Sequence, residues 1–487
     1  MTASAGPKRG RGRPPRRNLV AVVSIVVLSG AFFGYDQGVI SGALRDIRQT
    51  FHADTFAVEV AASWVTPGAL VGALLGGHLA DRIGRRGALW VAAATFAVGT
   101  ILQAVAPVIG VMFGARLILG LGIGVASVAG PMYAAEAAPE RIRGSLLAVY
   151  QFSTTFAIFI GYLADELFEA GNSWRYLLVA AALLGVALAL VTTVIPDSAV
   201  WYFGRGDRRR AEASLRATVP EQKVPQRLHA IEESLSAGKA GWREVLSPQW
   251  RRPLALGVGM ALFQQLTGIN GIIYYADEIF SSAGFHTPQA QLAATTWAIG
   301  GVDSLFTLVA VAFLDRLGRR PLLLVGLLGM AVSLAVVSIS FAKMDPAARA
   351  AGATGHHPTD AGIFLLIGVV MFVAFYAMSI GPTAWTVINE IFPGRIRGRC
   401  VAIASATHWG TEYLITQFFL SMLDFLGRSG VFALFAGTCV LGFLFIWRYL
   451  PETKGKTLEE IQQMWQNDGR ARHPHRADGR SARTTGT

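Results

Sequence analysis

The chain has 487 residues, of which 53% are hydrophobic and only 15% are charged, and its mean hydropathy is +0.45. Soluble domains carry charge on about a quarter of their residues, so this composition argues against a water-soluble protein and for one built mostly in lipid. The formal net charge of +12 does not indicate a nucleic-acid partner, because the basic residues cluster in the tails and in alternate loops rather than along one face.

Apolar stretches long enough to cross a bilayer, about 20 residues each, recur along the whole chain. Twelve predicted spans begin near Leu19, Val58, Ala88, Val108, Ser145, Tyr176, Pro253, Gln291, Pro321, Gly362, Arg399 and Ser429. The first run continues to about Gly42, which favours a retained span over a cleaved signal. We predict a basic N-terminal tail (1–18), a six-helix bundle (19–196), a cytoplasmic helical linker (197–252), a second six-helix bundle (253–450) and a C-terminal tail (451–487).

The distribution of Lys and Arg among the loops predicts the orientation. Most of them lie in the N-terminal tail and in alternate loops, 81–86, 136–143, 204–252, 315–320 and 395–399. Because cytoplasmic loops carry the excess positive charge, both termini are expected in the cytoplasm, with the chain in the plasma membrane. The other loops are poor in cations: the first is expected to hold Arg45, Asp46, Arg48, Asp54 and Glu59, and another Asp165, Glu166 and Glu169.

Three further features have simple interpretations. An apolar stripe in the linker, at Leu215, Leu228, Ile231 and Leu235, predicts helices that pack against the membrane domain. His356 and His357 stand in a polar stretch with no further ligand nearby, so we expect an exposed loop rather than a metal site. Cys400 and Cys439 fall in apolar segments and are expected to be packing residues.

Two charged phrases occur twice. D-R-I-G-R-R at 81–86 returns as D-R-L-G-R-R at 315–320, and E-A-A-P-E-R-I-R-G at 136–144 returns as E-I-F-P-G-R-I-R-G at 390–398. Repeated phrases between apolar runs indicate a duplicated membrane architecture, with halves related by an axis along the membrane normal. The fold class is therefore all-α, with twelve transmembrane helices in two pseudo-symmetric bundles, and it suits a transporter better than an enzyme.

The region from about Leu19 to Glu460 resembles the sugar porter family of the major facilitator superfamily, which includes bacterial proton/xylose symporters and facilitative glucose carriers. The resemblance rests on motifs in order: Gly34-Tyr35-Asp36, 81–86, Gly114-Ala115-Arg116, Pro131-Met132-Tyr133, Gln151, Pro196-Asp197-Ser198, the segment Gln264 to Asn270 with Tyr274 and Tyr275, Gly381-Pro382 with Trp385, and Pro451-Glu452-Thr453-Lys454-Gly455.

A sugar site needs side chains that both donate and accept hydrogen bonds, and an aromatic plane against the apolar face of the ring. Gln264, Gln265 and Asn270 supply amides, although amides also bond between membrane helices without any ligand. The resemblance implies that Gln264, Gln265 and Asn270, with Gln151, Tyr274 and Trp385, contact the sugar. We add as substrate-binding candidates Phe33, Gly381, Trp409, Asp303, His408 and Glu412.

Asp36 stands inside an apolar span, where an ionisable group is a functional hypothesis by default. Arg116, also within an apolar run, is its candidate partner, and protonation of Asp36 would release it. The resemblance supports proton coupling, since proton symporters of the family carry Asp here. The alternative is a permanent structural ion pair.

The repeated phrases are expected to form ion pairs that act as a latch, as the resemblance implies, or else to serve only as topology determinants. The expected gating residues are Asp81, Arg85, Arg86, Glu136, Arg143, Asp315, Arg319, Arg320, Glu390 and Arg397.

Some positions depart from the family pattern. Asp303 stands where Asn is usual, and His408 and Glu412 where Gln or Asn is common. These groups either bind a different polyol, take part in proton movement, or form a compensated polar cluster. Val200 replaces the Arg of the P-E-S-P-R phrase, which weakens one latch contact.

The sequence thus predicts a carrier that imports a monosaccharide together with protons by alternating access. No cofactor and no metal are expected, and the partners are a sugar or polyol, protons and the lipid bilayer. A proton-coupled cyclitol carrier, a passive uniporter, an efflux antiporter and a non-transporting sugar receptor remain as alternatives. The G-x-G phrases at 120–124 lie inside an apolar helix and predict close packing rather than a nucleotide loop.

Overall fold

The computed structural model describes residues 16–138, 140–168, 174–236, 241–285, 287–351, 360–392 and 394–452, together with Lys454 and Glu460. Regular structure in these ranges is helical throughout. Helices suit a lipid environment, because each backbone N–H and C=O finds its partner within its own segment. The polar stretch containing His356 and His357 lies outside the described residues.

The α-helices are α1 (Arg16–Phe51), α2 (Thr55–Ser63), α3 (Val65–Ala104), α4 (Ile109–Ala137), α5 (Glu140–Leu167), α6 (Trp174–Thr193), α7 (Ala199–Gly204), α8 (Arg208–Thr218), α9 (Val224–Ser236), α10 (Trp242–Val245), α11 (Arg251–Leu266), α12 (Ile269–Tyr274), α13 (Ala276–Ser282), α14 (Pro288–Ala294), α15 (Val302–Leu317), α16 (Arg319–Ala351), α17 (Asp360–Met378), α18 (Ile380–Ile391) and α19 (Gly394–Tyr449). A 3₁₀ turn covers Glu221–Lys223, and a π-helical segment, Thr295–Gly301, joins α14 to α15.

Among the described residues, ten helical stretches are long and apolar enough to cross a membrane. Two of them contain a residue with non-helical backbone angles, Gly84 within α3 and Gly427 within α19, so each of these two holds a pair of spans. The count is therefore twelve, and the predicted twelve-span fold is confirmed. Spans 1 to 6 form the N-terminal half and spans 7 to 12 the C-terminal half, joined by α7 to α10.

The apolar cores show where the halves meet. One core belongs to the N-terminal half, with only Trp409 from the other half. The second core fills the C-terminal half and extends into the second part of α1, where Val39, Ile40 and Ile47 pack with α12 residues such as Ile272. The halves are thus packed together on the side of the membrane opposite the chain termini.

The two copies of the D-R-x-G-R-R phrase form the same turn. Gly84 and Gly318 have φ of 89° and 91°, a left-handed conformation that side chains disfavour. In each copy a carboxylate from elsewhere accepts hydrogen bonds from the amides that begin the next helix. Asp197 accepts from Arg85 N at 2.9 Å, and Glu452 accepts from Arg319 N and Arg320 N at 3.2 and 3.0 Å.

The phrases repeated in the sequence therefore mark equivalent helix-capping sites. Because Asp197 comes from the P-D-S phrase and Glu452 from the P-E-T phrase, each half closes its own turn with an acid that follows its sixth span.

The linker differs from the prediction. Its apolar stripe forms a small core of its own, in which Leu215, Leu228 and Ile231 pack with Ala199 and Val224. The expectation that the stripe packs against the membrane domain is wrong, because the apolar side chains of these linker helices are buried against each other. Leu235, also assigned to the stripe, is exposed. Val200, which stands in place of an Arg, packs against this core.

Two residues assigned to loops are buried in helices. Glu59 lies in α2 and is fully buried, and Asp165 lies in α5 with its carboxylate against the backbone of Gly42. The loop assignment was wrong, because a hydropathy pattern assigns a charged residue near the end of an apolar run to the adjoining loop. These two carboxylates instead face the protein interior. Gly120 and Gly124 do pack closely, against the backbone of Val65 and Ala69, as predicted.

Substitution of Gly84 by Ala tests the capped turn. A side chain at this φ is strained and its Cβ would overlap the Asp197 carboxylate, so we expect a loss of about 1–3 kcal/mol. The measurement is thermal unfolding of the detergent-solubilised protein, followed by tryptophan fluorescence. Gly77→Ala in the same helix is the control, since an added Cβ there has no heavy atom within 4 Å. Equal melting temperatures for the two variants would contradict the assignment.

Candidate functional site

A break in span 7 places the predicted amides. Gly268, with φ of 85°, separates α11 from α12, and an added Cβ there would overlap the ring of Phe435. Gln264 and Gln265 therefore stand at the end of one helix and Asn270 at the start of the next. All three are buried, so their amides must find partners inside the protein.

A chain of hydrogen bonds links the two halves through these amides. Gln37 Nε2, on span 1, donates to Asn270 Oδ1 at 2.9 Å. Asn270 Nδ2 donates to Gln265 Oε1 at 2.6 Å. The Gln265 Nε2 group lies 3.1 and 3.2 Å from the two ring nitrogens of His408 on span 11.

Gln264 points elsewhere, as expected for adjacent positions on a helix. Its Nε2 donates to the carbonyl of Gly381 at 2.8 Å, and the Ile380 carbonyl lies at 3.4 Å. Both carbonyls lie in the first turn of α18, directly after the break in span 10 at Ser379. Gln264 Oε1 makes no hydrogen bond among the described residues, and the Tyr376 side chain lies close to this amide.

Aromatic rings border the amides from both halves. The rings of Trp385 and His408 meet edge to face with centroids 5.2 Å apart, and His408 meets Trp409 at 5.5 Å. Phe33 of span 1 packs edge to face on Trp409 at 5.0 Å. The predicted aromatic residues thus form one continuous group across the interface of the halves.

The remaining predicted substrate residues are placed less uniformly. Tyr274 is fully buried and its hydroxyl lies near Gln37 and Glu412. Asp303 and Glu412 are buried, with Tyr376 close to both. Gln151 is half-buried on α5. Within the described part of the chain, no hydrogen bond joins Gln151 to the other amides.

Asp36 and Arg116 form an ion pair sealed from solvent. Arg116 Nη1 lies 2.7 and 3.0 Å from the two oxygens of Asp36, and Nη2 donates to the carbonyl of Ala62 at 2.9 Å. The side chains are 0% and 1% exposed. The pair joins spans 1 and 4 to the end of α2, one residue away from Gln37, which makes the bond to the C-terminal half.

The latch residues pair within each half. Arg85 binds Glu136 through Nη2 at 2.8 Å and through Nε at 2.9 Å, and also lies 3.3 Å from Asp81. In the second half, Arg319 Nη2 lies 3.0 Å from Glu390.

Two other latch residues donate to backbone carbonyls. Arg320 Nη2 donates to the Trp447 carbonyl at 2.7 Å, and Arg397 Nε donates to the Phe392 carbonyl at 3.1 Å. Arg86 lies near Tyr133. The side chains of Arg143 and Asp315 lie outside the described residues.

Sequence reasoning missed the residues that close the side opposite the termini. Ser421 donates from N and Oγ to Glu59 at 2.7 and 2.8 Å, and Ser63 Oγ donates to Gln417 at 2.7 Å. Arg45 of the N-terminal half donates a hydrogen bond to Gln291 Oε1 of the C-terminal half. Gln37 was also missed, although an amide beside Asp36 in an apolar run was a usable signal.

These features define a transporter fold. Two six-span halves with a polar cluster between them, at the breaks in spans 7 and 10, are the architecture of the major facilitator superfamily. A solved structure of the xylose transporter of Escherichia coli, in a partially occluded inward-open conformation, superposes with a TM-score of 0.77 at 29% identity, covering 90% of this chain and 99% of that one.

The chain belongs to the family described as "Sugar (and other) transporter", whose model matches residues 22–465. It is 34% identical to an arabinose-proton symporter of Bacillus subtilis, over 90% of this chain and 93% of that protein. It is also 34% identical to a galactose-proton symporter of Escherichia coli, over 93% of this chain and 96% of that protein. The resemblance noted from the motifs is confirmed.

Replacing Arg116 by Gln tests the buried pair. We expect a loss of about 3–5 kcal/mol of stability, because the Asp36 carboxylate is left buried without its cation. Adding Asp36→Asn should recover part of the loss, since no unpaired charge then remains. Thermal unfolding of the two single variants and the double variant measures the coupling. Additive losses in the double variant would show that the two side chains do not stabilise each other.

Proposed function

We propose that this protein imports a monosaccharide together with protons. The observation that carries the proposal is the juxtaposition of two sites at the interface of the halves. The amide and aromatic cluster lies beside the Asp36–Arg116 pair, and Gln37 belongs to both, being adjacent to Asp36 and bonded to Asn270. Relatives that are named as arabinose-proton and galactose-proton symporters support both the sugar and the proton.

Sugar recognition follows from the chemistry of the cluster. Each sugar hydroxyl both donates and accepts hydrogen bonds. It can therefore replace one amide as the hydrogen-bond partner of another. Gln265 and Asn270 bind each other at 2.6 Å and are arranged to release this bond to a hydroxyl of the ligand. Gln264 offers a further buried amide, and Trp385 offers an apolar face for the ring C–H groups.

Proton coupling follows from the buried pair. An ionised Asp36 holds Arg116, and Arg116 also holds the Ala62 carbonyl on span 2. A proton on Asp36 removes the charge that fixes Arg116, which frees spans 1, 2 and 4 to change their packing. Because proton binding favours one arrangement of the helices and the sugar contacts both halves, the two ligands bias the same equilibrium.

The direction of access follows from the contacts between halves. On the side opposite the termini, Glu59 binds Ser421, and Ser63 binds Gln417, each across the interface. Near the termini, the Arg85–Glu136 and Arg319–Glu390 pairs stay within their own halves. With both termini in the cytoplasm of a plasma-membrane protein, this is the inward-facing state, and the latch residues act at the cytoplasmic ends.

The second candidate is a proton-coupled cyclitol carrier, because the buried acids Asp303 and Glu412 depart from the amides expected at these positions. A cyclitol such as inositol presents hydroxyls all around its ring and would use the same amides. A passive uniporter shares the sugar site but makes no use of the Asp36 proton. A non-transporting receptor would bind sugar without moving it.

Asp36→Asn tests the coupling in proteoliposomes. The wild type is expected to accumulate labelled xylose, arabinose or galactose when the outside is acidic, and to exchange it at equal pH. The variant should retain counterflow exchange but lose accumulation, since it binds no proton. Asp207→Asn in the linker is the control, because Asn caps α8 as Asp does. Accumulation that survives in Asp36→Asn would refute coupling through this residue, and counterflow with inositol alone would favour the cyclitol carrier.

Gln265→Ala tests the sugar contact. Losing a buried amide partner costs about 1–3 kcal/mol, so the half-saturation concentration for counterflow should rise about tenfold or more. The exposed Gln226→Ala in the linker is expected to leave it unchanged. An unaltered half-saturation concentration in Gln265→Ala would remove this residue from the sugar site.

A further inference from the structure

Glu412 on span 11 is buried without the partners that an ionised carboxylate requires. The residue is 0% exposed, and neither carboxyl oxygen makes a hydrogen bond among the described residues. One turn earlier on the same helix, His408 Nε2 lies 3.6 Å from Glu412 Oε2. An ionised carboxylate in this setting carries a large desolvation cost, so the site holds either a proton on Glu412 or a charged imidazolium beside it.

Among the described residues, the groups that lie near this pair on neighbouring elements add no permanent cation. Tyr274 of span 7 lies near Glu412, and Tyr376 of span 10 lies near Glu412 and Asp303. Asp303 of span 8 is itself buried, with Oδ1 unpartnered within the described ranges.

The buried cation described in this region already has an anionic partner. Arg116, which Tyr274 also approaches, is bonded to Asp36. With Asp36 and Arg116 neutralising each other, the Glu412 carboxyl remains beside the His408 imidazole. Electrical balance in a membrane interior therefore requires one additional proton on this pair.

The proton position is linked to the predicted sugar site through His408. With the Gln265 amide in this orientation, Nε2 lies 3.1 and 3.2 Å from the two ring nitrogens of His408 and donates to one that carries no proton. In this arrangement the imidazole is neutral and the proton belongs to Glu412. When a sugar hydroxyl takes the Gln265 amide, that ring nitrogen is released, and His408 can accept the proton while the carboxylate becomes its counter-ion.

We propose that Glu412 and His408 form a second proton-binding site in the C-terminal half, so that two protons move with each sugar. The site suits a proton rather than a larger cation, because Glu412 has no solvent-exposed surface and the His408 ring stands beside it. Protons would then bind in both halves, at Asp36 and at Glu412, on either side of the amide chain. This inference rests on the proposed proton symport.

The test is the sugar accumulation ratio at equilibrium in proteoliposomes, with the membrane potential held at zero by potassium and valinomycin. The labelled sugar is whichever of xylose, arabinose or galactose shows counterflow. The ratio should rise with the square of the imposed proton ratio in the wild type and with its first power in Glu412→Gln. A tenfold proton gradient would thus give hundredfold and tenfold accumulation. The exposed Glu233→Gln is the control and should keep the square dependence.

The outcomes separate the two proposals. A wild type that follows the first power keeps proton symport and overturns the second site, and so does a square dependence in Glu412→Gln. A wild type that never accumulates sugar against its gradient overturns the symport itself. If Glu412→Gln is inactive, His408→Asn replaces it, with a first-power dependence expected and a square dependence overturning the site.

Discussion

The ion pair between Asp36 and Arg116 is the interaction on which the organisation of this protein depends. It is the one place in the described chain where a fully buried Arg meets a fully buried Asp, and it ties spans 1, 2 and 4 together. A pair of this kind is poor evidence for stability, since desolvation offsets much of the attraction. In the proposed coupling its value lies in having two states, because a single proton on Asp36 would change which helices Arg116 holds.

A chain of hydrogen bonds across the interface begins beside that pair and ends in the C-terminal half. Gln37 follows Asp36 directly and bonds Asn270, which bonds Gln265, which bonds His408. Every link is an amide or an imidazole, groups that can exchange one partner for another at small cost. In the proposed cycle, a change at Asp36 would reach span 11 through these contacts, which are easily rearranged.

Much of this arrangement was predictable from sequence, and the failures have physical causes. Hydropathy and loop charge predicted the twelve spans, and the repeated phrases predicted equivalent turns, which appear at Gly84 and Gly318. The pairing of Asp36 with Arg116 followed from the cost of charge in lipid.

The contacts across the interface were not predictable in this way. Glu59 and Asp165 were assigned to loops, because a single charge near a span end gives no signal of the face it occupies. The bonds of Glu59 to Ser421 and of Gln37 to Asn270 join residues more than 230 positions apart, and no periodicity links them. Assignment of the linker stripe failed for a related reason, since an apolar face does not specify its partner.

The anchoring of the linker has a mechanical consequence. Its first helices bond to the N-terminal half, where Trp201 and Arg205 donate to the carbonyls of Asp81 and Arg82, and Asn18 donates to Ala217. Toward the C-terminal half, Trp242 of α10 stacks under the guanidinium of Arg399 at 5.0 Å. Val245 of α10 and Trp250 are also buried in the core of the C-terminal half. A rocking motion would therefore carry α7 to α9 with the N-terminal half and α10 with the C-terminal half, so the connector must accommodate the motion between its own two parts.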